Sequence, residues 1–179
     1  IAASVGQEHI AAAAEFFVTC LDTNRLRQLL HARGEVVEQP ALTLYATTDA
    51  LLATANLATA AELLGYGICY IGAIQRVMEN LIEILGLPAG VCPLVGMCIG
   101  VPASRRELSP RLPIEVLFHE NQYRELTANE VQRCFDAMAT VTYDGGWPNV
   151  LRNSFTPGGE YEAREQHWRS ALLRQGFRQ

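Results

Sequence analysis

Lysine is missing from the chain: all fourteen Lys+Arg positions are arginine. Every strong side-chain cation is therefore a guanidinium, and a role that needs a deprotonated amine, such as Schiff-base formation, is excluded. Basic charge is scarce overall, with fourteen arginines against nineteen acids, a net charge of -5 and a pI near 5.4. No basic run stands out to neutralise a phosphate backbone, which argues against a nucleic-acid partner. Long hydrophobic runs are lacking too; residues 10 to 21 are interrupted by Glu15, and no membrane partner is expected. The cationic segment that opens a secretory signal is not found at the start. The chain begins at Ile1 rather than Met, inside what reads as a helix, so the expectation is an incomplete amino terminus.

Cysteine is present in a pattern that does not support a metal cluster. Cys20, Cys69, Cys92, Cys98 and Cys134 are odd in number, show no CxxC spacing and sit mostly in apolar runs. They read as buried free thiols of a reducing compartment, and the expected location is cytoplasmic. His9, His31, His119 and His167 share no metal-ligand spacing. His119 and Glu120 begin a zinc-helix pattern, but Tyr123 stands where its second histidine belongs. No GxSxG elbow, P-loop or local cysteine and histidine signature occurs. No metal ligand and no catalytic side chain are nominated.

What is there is apolar material. With 179 residues, 49% hydrophobic and 18% charged, one globular domain can bury about 70% of its unfolded surface. An alanine-rich helix over 2–14 leads into EFFVTCLD, 15–22, a buried strand. Residues 24–39 form a polar connection with helical character. A helix over 47–64, apolar around most of its circumference, reads as buried nearly all round and closes on Gly65. ICYIGAI (68–74) reads as a strand, RVMENLIEILG (76–86) as a helix, and VCPLVGMCIGVP (91–102) as an interior strand with ASRREL as its solvated exit. IEVLFHE (114–120) reads as a further strand. Thr127 and Glu130 make a capping box for a helix over 128–140. Glycines and prolines around Trp147 read as a mobile loop over 144–159, and a last helix spans 160–175. Strands alternating with helices indicate an α/β or α+β domain.

Three segments bear on chemistry. GYGICY (65–70) follows a helix and precedes a strand, the reverse of a dinucleotide fingerprint, and has Tyr70 in the third glycine's place. YIGA, 70–73, puts a glycine at a strand end, where backbone can approach a flat ligand. SPRLP, 109–113, holds Arg111 between two prolines, a stiff mount for a guanidinium that could clamp a phosphate.

Taken in order, AAEFFVTCLD (13–22), TANLATAAELLGYGICYIGA (54–73), LGLPAGVCPLVGMCIGVP (85–102) and PRLPIEVLFHENQY (110–123) resemble the nitroreductase family, in its oxygen-insensitive NADPH nitroreductase and flavin reductase branch. The four collinear matches cover most of residues 6–123; the last third matches weakly. The resemblance implies a single α+β domain over 1–179 that lacks the family's amino-terminal segment. It implies an antiparallel sheet wrapped by helices, in an intertwined homodimer with noncovalent FMN in clefts at the interface. NADPH or NADH would be the donor, and the partner a small-molecule acceptor such as a nitroaromatic, a quinone or a free flavin, in a two-electron ping-pong exchange.

Carried over residue by residue, Tyr70, Ile71, Gly72 and Ala73 match the segment lying along the isoalloxazine ring. Arg111 matches a phosphate ligand, Ser109 stands beside it where relatives carry a lysine, and Gln7 matches a ring or ribityl contact. Ala73 replaces the last glycine of the family's YIGG, which suggests a tighter fit. Arg152 is a candidate for a nucleotide 2'-phosphate. The rival reading is a non-catalytic flavin-binding or flavin-storage protein of the same fold; a third is a partner-binding protein without flavin.

Overall fold

The computed structural model describes residues 1–36, 41–104 and 107–177. Val37 to Gln39, at the end of the expected connection, and Arg105 and Arg106 of the expected ASRREL exit lie outside them. The chain divides into two compact units, Ile1–Ala103 with Ala163–Gln179, and Ser104–Glu162.

The first unit is built on one antiparallel sheet. Helices α1 (Ala2–Val5) and α2 (His9–Ala12) replace the single expected opening helix, because Gly6 adopts φ 70° and ends α1. Strand β1 (Glu15–Asp22) has the expected bounds. After it come α3 (Asn24–His31), α4 (Ala41–Leu63), β2 (Gly67–Ile71) and a 3-10 turn over Gly72–Arg76. Helix α5 (Met78–Ile84) and β3 (Val91–Gly100) follow. The order is β1-β3-β2, with both neighbours antiparallel to β3. The apolar run of β3 is explained by its central place, since a middle strand is covered on both faces.

Phe16, Cys98 and Cys69 are register partners across the three strands, as are Val18, Gly96 and Ile71, so these six share one face. On that face Ile71, Ala73, Ile74, Leu81 and Cys98 form a core with Val5 and Ile10. Gly96 leaves the room this needs: a Cβ there would stand 2.7 Å from Phe16 Cζ and 3.2 Å from Ile71 Cβ. A second cluster joins Leu21, Met78, Ile82, Cys92 and Leu94 to Ala171 and Phe177 near the carboxy terminus.

Helix α4 corrects the sequence reading twice. It starts at Ala41, before the expected Thr47, and it is not buried all round. Thr54, Ala58 and Ala61 are buried, while Leu44, Tyr45, Leu51, Leu52 and Leu63 are exposed. The Thr54 hydroxyl donates to Ala50 O at 2.7 Å and stands 2.7 Å from Thr19 Oγ1 of β1. That contact fixes which side meets the sheet. An apolar sequence shows that a helix can be covered, not that its own chain covers it.

In the second unit, IEVLFHE is not a strand. Residues Ile114–Leu117 form α6, entered from Pro113 at φ -55°, and Phe118 to Glu120 carry no regular structure. A strand needs a neighbour to satisfy its backbone, and the described sheet ends at three. Helix α7 (Ala128–Ala137) carries the expected capping box. The expected loop over 144–159 is instead a 3-10 turn, Tyr143–Gly145, followed by α8 (Trp147–Phe155). The glycines bracket α8 rather than interrupt it: Gly146 at φ 99° precedes it, Pro148 occupies its first turn, and Gly158 and Gly159 follow. Helix α9 (Glu160–Arg174), which from Ala163 on belongs to the first unit, is as expected, ending before Gly176 at φ 81°.

Candidate functional site

Strand β2 delivers the YIGA segment to its own carboxy end. Tyr70 and Ile71 still pair with β3, opposite Met97 and Gly96, so the expected strand to residue 74 stops at Ile71. The chain then bends at Ile71, φ -113° and ψ 84°, into the 3-10 turn. Ile71 and Ala73 are buried in the core of the first unit, whereas Tyr70 is exposed. The Ala73 methyl is thus taken up by the protein interior.

Gly72 is half-buried with an unrestricted backbone, and a Cβ built on it would meet one atom within 4 Å, the Arg164 guanidinium Nη1 at 3.7 Å. That side of the turn is otherwise open. Arg164, on α9, is a cation at this place that sequence reasoning missed. It lies far along the chain, and no local spacing links it to Gly72.

Gln7 lies in the turn between α1 and α2, flanked by Val5 and Ile10, which pack in the same core cluster as Ile71, Ala73 and Ile74. Its Oε1 is buried and lacks a hydrogen-bond partner. A buried acceptor left unpaired costs about 1–3 kcal/mol, so such an atom calls for a donor. The turn that carries Gln7 is thus held by residues of the same cluster as Ile71 and Ala73.

The remaining candidates belong to the second unit. Ser109 and Arg111 are exposed. Arg111 Nη1 donates to Ser109 O at 3.2 Å and Pro110 O at 3.1 Å. Arg152 is not in a loop as expected but on α8, where Nη1 lies 3.3 Å from Asn149 Oδ1.

Titration points elsewhere. Arg124 holds the Glu130 carboxyl far below the usual carboxylate range, with Thr127 assisting, through contacts of 2.8 and 2.6 Å from its two guanidinium nitrogens. This pair belongs to the cap of α7. A hollow of about 440 Å³ in the first unit borders Asp22, Tyr45 and Asp49, and none of the candidate residues lines it. Among the described residues no group of three or more His, Cys, Asp or Glu could hold a metal ion, and no helix is long and apolar enough to cross a membrane.

Comparison with models of known families gives no match. Individual proteins do match. The oxygen-insensitive NADPH nitroreductase of Salmonella typhimurium is 43% identical over 152 residues, 84% of this chain and 62% of that protein. An FMN reductase (NAD(P)H) of Bacillus subtilis is 34% identical over 97% of this chain and 73% of its own length. Among solved structures, the NADPH:FMN oxidoreductase of Vibrio harveyi complexed with NAD+ superimposes with a TM-score of 0.82 at 33% identity, over 98% of this chain and 73% of that one. The chain belongs to the nitroreductase family, in the branch of NADPH nitroreductases and flavin reductases, and it spans less than two thirds of the Salmonella relative.

Proposed function

We propose that the protein is an FMN-dependent NAD(P)H oxidoreductase that reduces small acceptors such as nitroaromatics, quinones or free flavins. The observation that carries this reading is the turn after β2, a strand end presenting Gly72 with one open side, together with the buried and unpaired Gln7 Oε1 on the α1–α2 turn, whose flanking Val5 and Ile10 share a core cluster with Ile71 and Ala73. Those features fit a flat, polar-edged ring bearing N–H donors. FMN when bound supplies the hydride chemistry. The chain's own residues then have positioning roles. The backbone from Tyr70 to Ala73 is proposed to lie along the ring, with Gln7 accepting from it. Ser109 and Arg111 are proposed to hold the phosphate, and Arg152 the 2'-phosphate of the nucleotide.

The two compact units are proposed to act as one nitroreductase-like domain, and the active form is proposed to be a homodimer in the cytoplasm. Support for the dimer comes from the leucines and tyrosine exposed along α4, large apolar side chains of the kind that mark an interface.

The test combines an absorption spectrum with steady-state oxidation of NADPH and NADH at several acceptor concentrations. A flavin-coloured protein with turnover and parallel double-reciprocal lines is expected. Intersecting lines would mean that donor and acceptor are bound together. A coloured protein without turnover would be the flavin-storage alternative, and a colourless one that FMN does not stabilise would end the flavin reading.

A further inference from the structure

Two of the cysteines face each other across the sheet. Cys69 on β2 is the register partner of Cys98 on β3. Residues directly opposite in an antiparallel ladder point to the same face with Cα atoms about 4.5–5.5 Å apart. A disulfide needs a Cα separation of roughly 4.4–6.8 Å, a range that this register meets. Both thiols are free; Cys69 is exposed and Cys98 is buried. Burial, and after it the nearness of Cys69, raises the Cys98 pKa.

The other cysteines are placed differently. Cys20 opposes Pro93 while Cys92 opposes Leu21, so they are out of register with one another. Burial, and after it Asp22, pushes Cys20 to about 11, and burial, and after it the nearness of Cys20 and Glu79, pushes Cys92 to about 12, which disfavours the reactive thiolate of both at neutral pH. Cys134 is buried in the second unit.

We propose that Cys69 and Cys98 form a reversible redox site, in which a hydroperoxide oxidises the exposed sulfur and the pair closes to a cross-strand disulfide. In the first step Cys69, as thiolate, attacks one oxygen of hydrogen peroxide. An S–O bond forms, the O–O bond breaks, and the departing hydroxide takes up a proton to become water. In the second step Cys98 gives up its proton and attacks the Cys69 sulfur. The S–S bond forms, the S–O bond breaks, and a second water leaves. Two thiols lose two electrons together and one peroxide is reduced to two waters. A small dithiol reverses the change by exchange. The bond clamps β2 to β3 immediately before Tyr70. The proposal stands on strand register and exposure and does not depend on the flavin reading.

The test treats the purified protein with a small excess of hydrogen peroxide, blocks the remaining thiols and digests it without reductant at arginine. Cleavage at Arg76 puts Cys69 in residues 34–76 and leaves Cys92 and Cys98 together in residues 77–105. The expected product is one intramolecular linked pair whose fragmentation assigns the bond to Cys69 and Cys98. The free-thiol count in denaturant falls by two and recovers fully with dithiothreitol. Cys69→Ser, at an exposed position, should lose no thiol over the same time. Cys98→Ala should stop at a sulfenic acid on Cys69 that dimedone traps; if this variant does not fold, the wild-type linkage decides alone. A bond between any other cysteines, a link between two chains, overoxidation of Cys69 with Cys98 left free, or no thiol loss would each overturn the proposal.

Discussion

Arg111 is exposed and turns its guanidinium back on its own loop, toward Ser109 O and Pro110 O. Those two contacts are to carbonyls that water can serve equally well, so the residue contributes little to the fold and remains available to a ligand. If it holds the FMN phosphate, its loss removes a charge-assisted hydrogen bond. Arg111→Ala should then weaken FMN binding by roughly 10 to 150-fold, as fluorescence titration would measure. Arg111→Lys should recover part of that, because an ammonium cannot make the forked contact. Equal affinities for all three proteins would place the phosphate elsewhere. Gly96 is the opposite kind of residue, fixed by packing. Gly96→Ala would force the Phe16 ring and Ile71 apart, and overpacking of this sort costs about 1–3 kcal/mol. Urea unfolding should show that loss; an unchanged midpoint would mean that the Phe16 ring swings aside freely.

At the scale of elements, α7 is specified by its own residues and those just before it. Thr127 Oγ1 accepts from Glu130 N at 3.3 Å, and the Glu130 carboxylate accepts from Thr127 N at 2.9 Å, closing the capping box. Arg124 then adds its two-pronged contact. Because these partners lower the Glu130 pKa in the folded state, the stability they confer is present above the unfolded carboxyl value, about 4.3. It is lost as pH falls below that value toward the folded one. Urea midpoints of wild type and Glu130→Gln should therefore differ by a constant amount above about pH 5 and converge as pH drops below about 4. A gap that stays constant into acid would show that the contribution of Glu130 does not come from its charge. Helix α8 marks the limit of such local reading. Glycine and proline were legible as breaks, but whether they interrupt a segment or bound it depends on the backbone angles of Gly146 and its neighbours, which composition does not give.

At the scale of the whole molecule, the exposed apolar side of α4 asks for a cover. Leu52 is 61% exposed and Leu44 67%, and light scattering should return twice the 19.7 kDa of one chain. Leu52→Glu should leave the circular dichroism spectrum unchanged and shift the mass toward that of one chain; a wild-type monomer with FMN bound would contradict the proposed homodimer.

What the sequence determined by itself was local or short-ranged: the bounds of β1, the capping box of α7, the stop of α9 before Gly176, and a glycine at the end of β2. Each follows from interactions within about one helical turn or from the two-residue period of a strand. The tertiary structure decided the rest. It set Arg164 beside Gly72, gave Gln7 a buried and unpaired oxygen, and put Cys69 opposite Cys98. It also left one side of α4 bare and made Ile114–Leu117 a helix. The physical reason is the same in each case: burial and opposition depend on strand order and register, which are set by the packing of segments distant in the chain, and no periodicity within a segment records which neighbour it will meet.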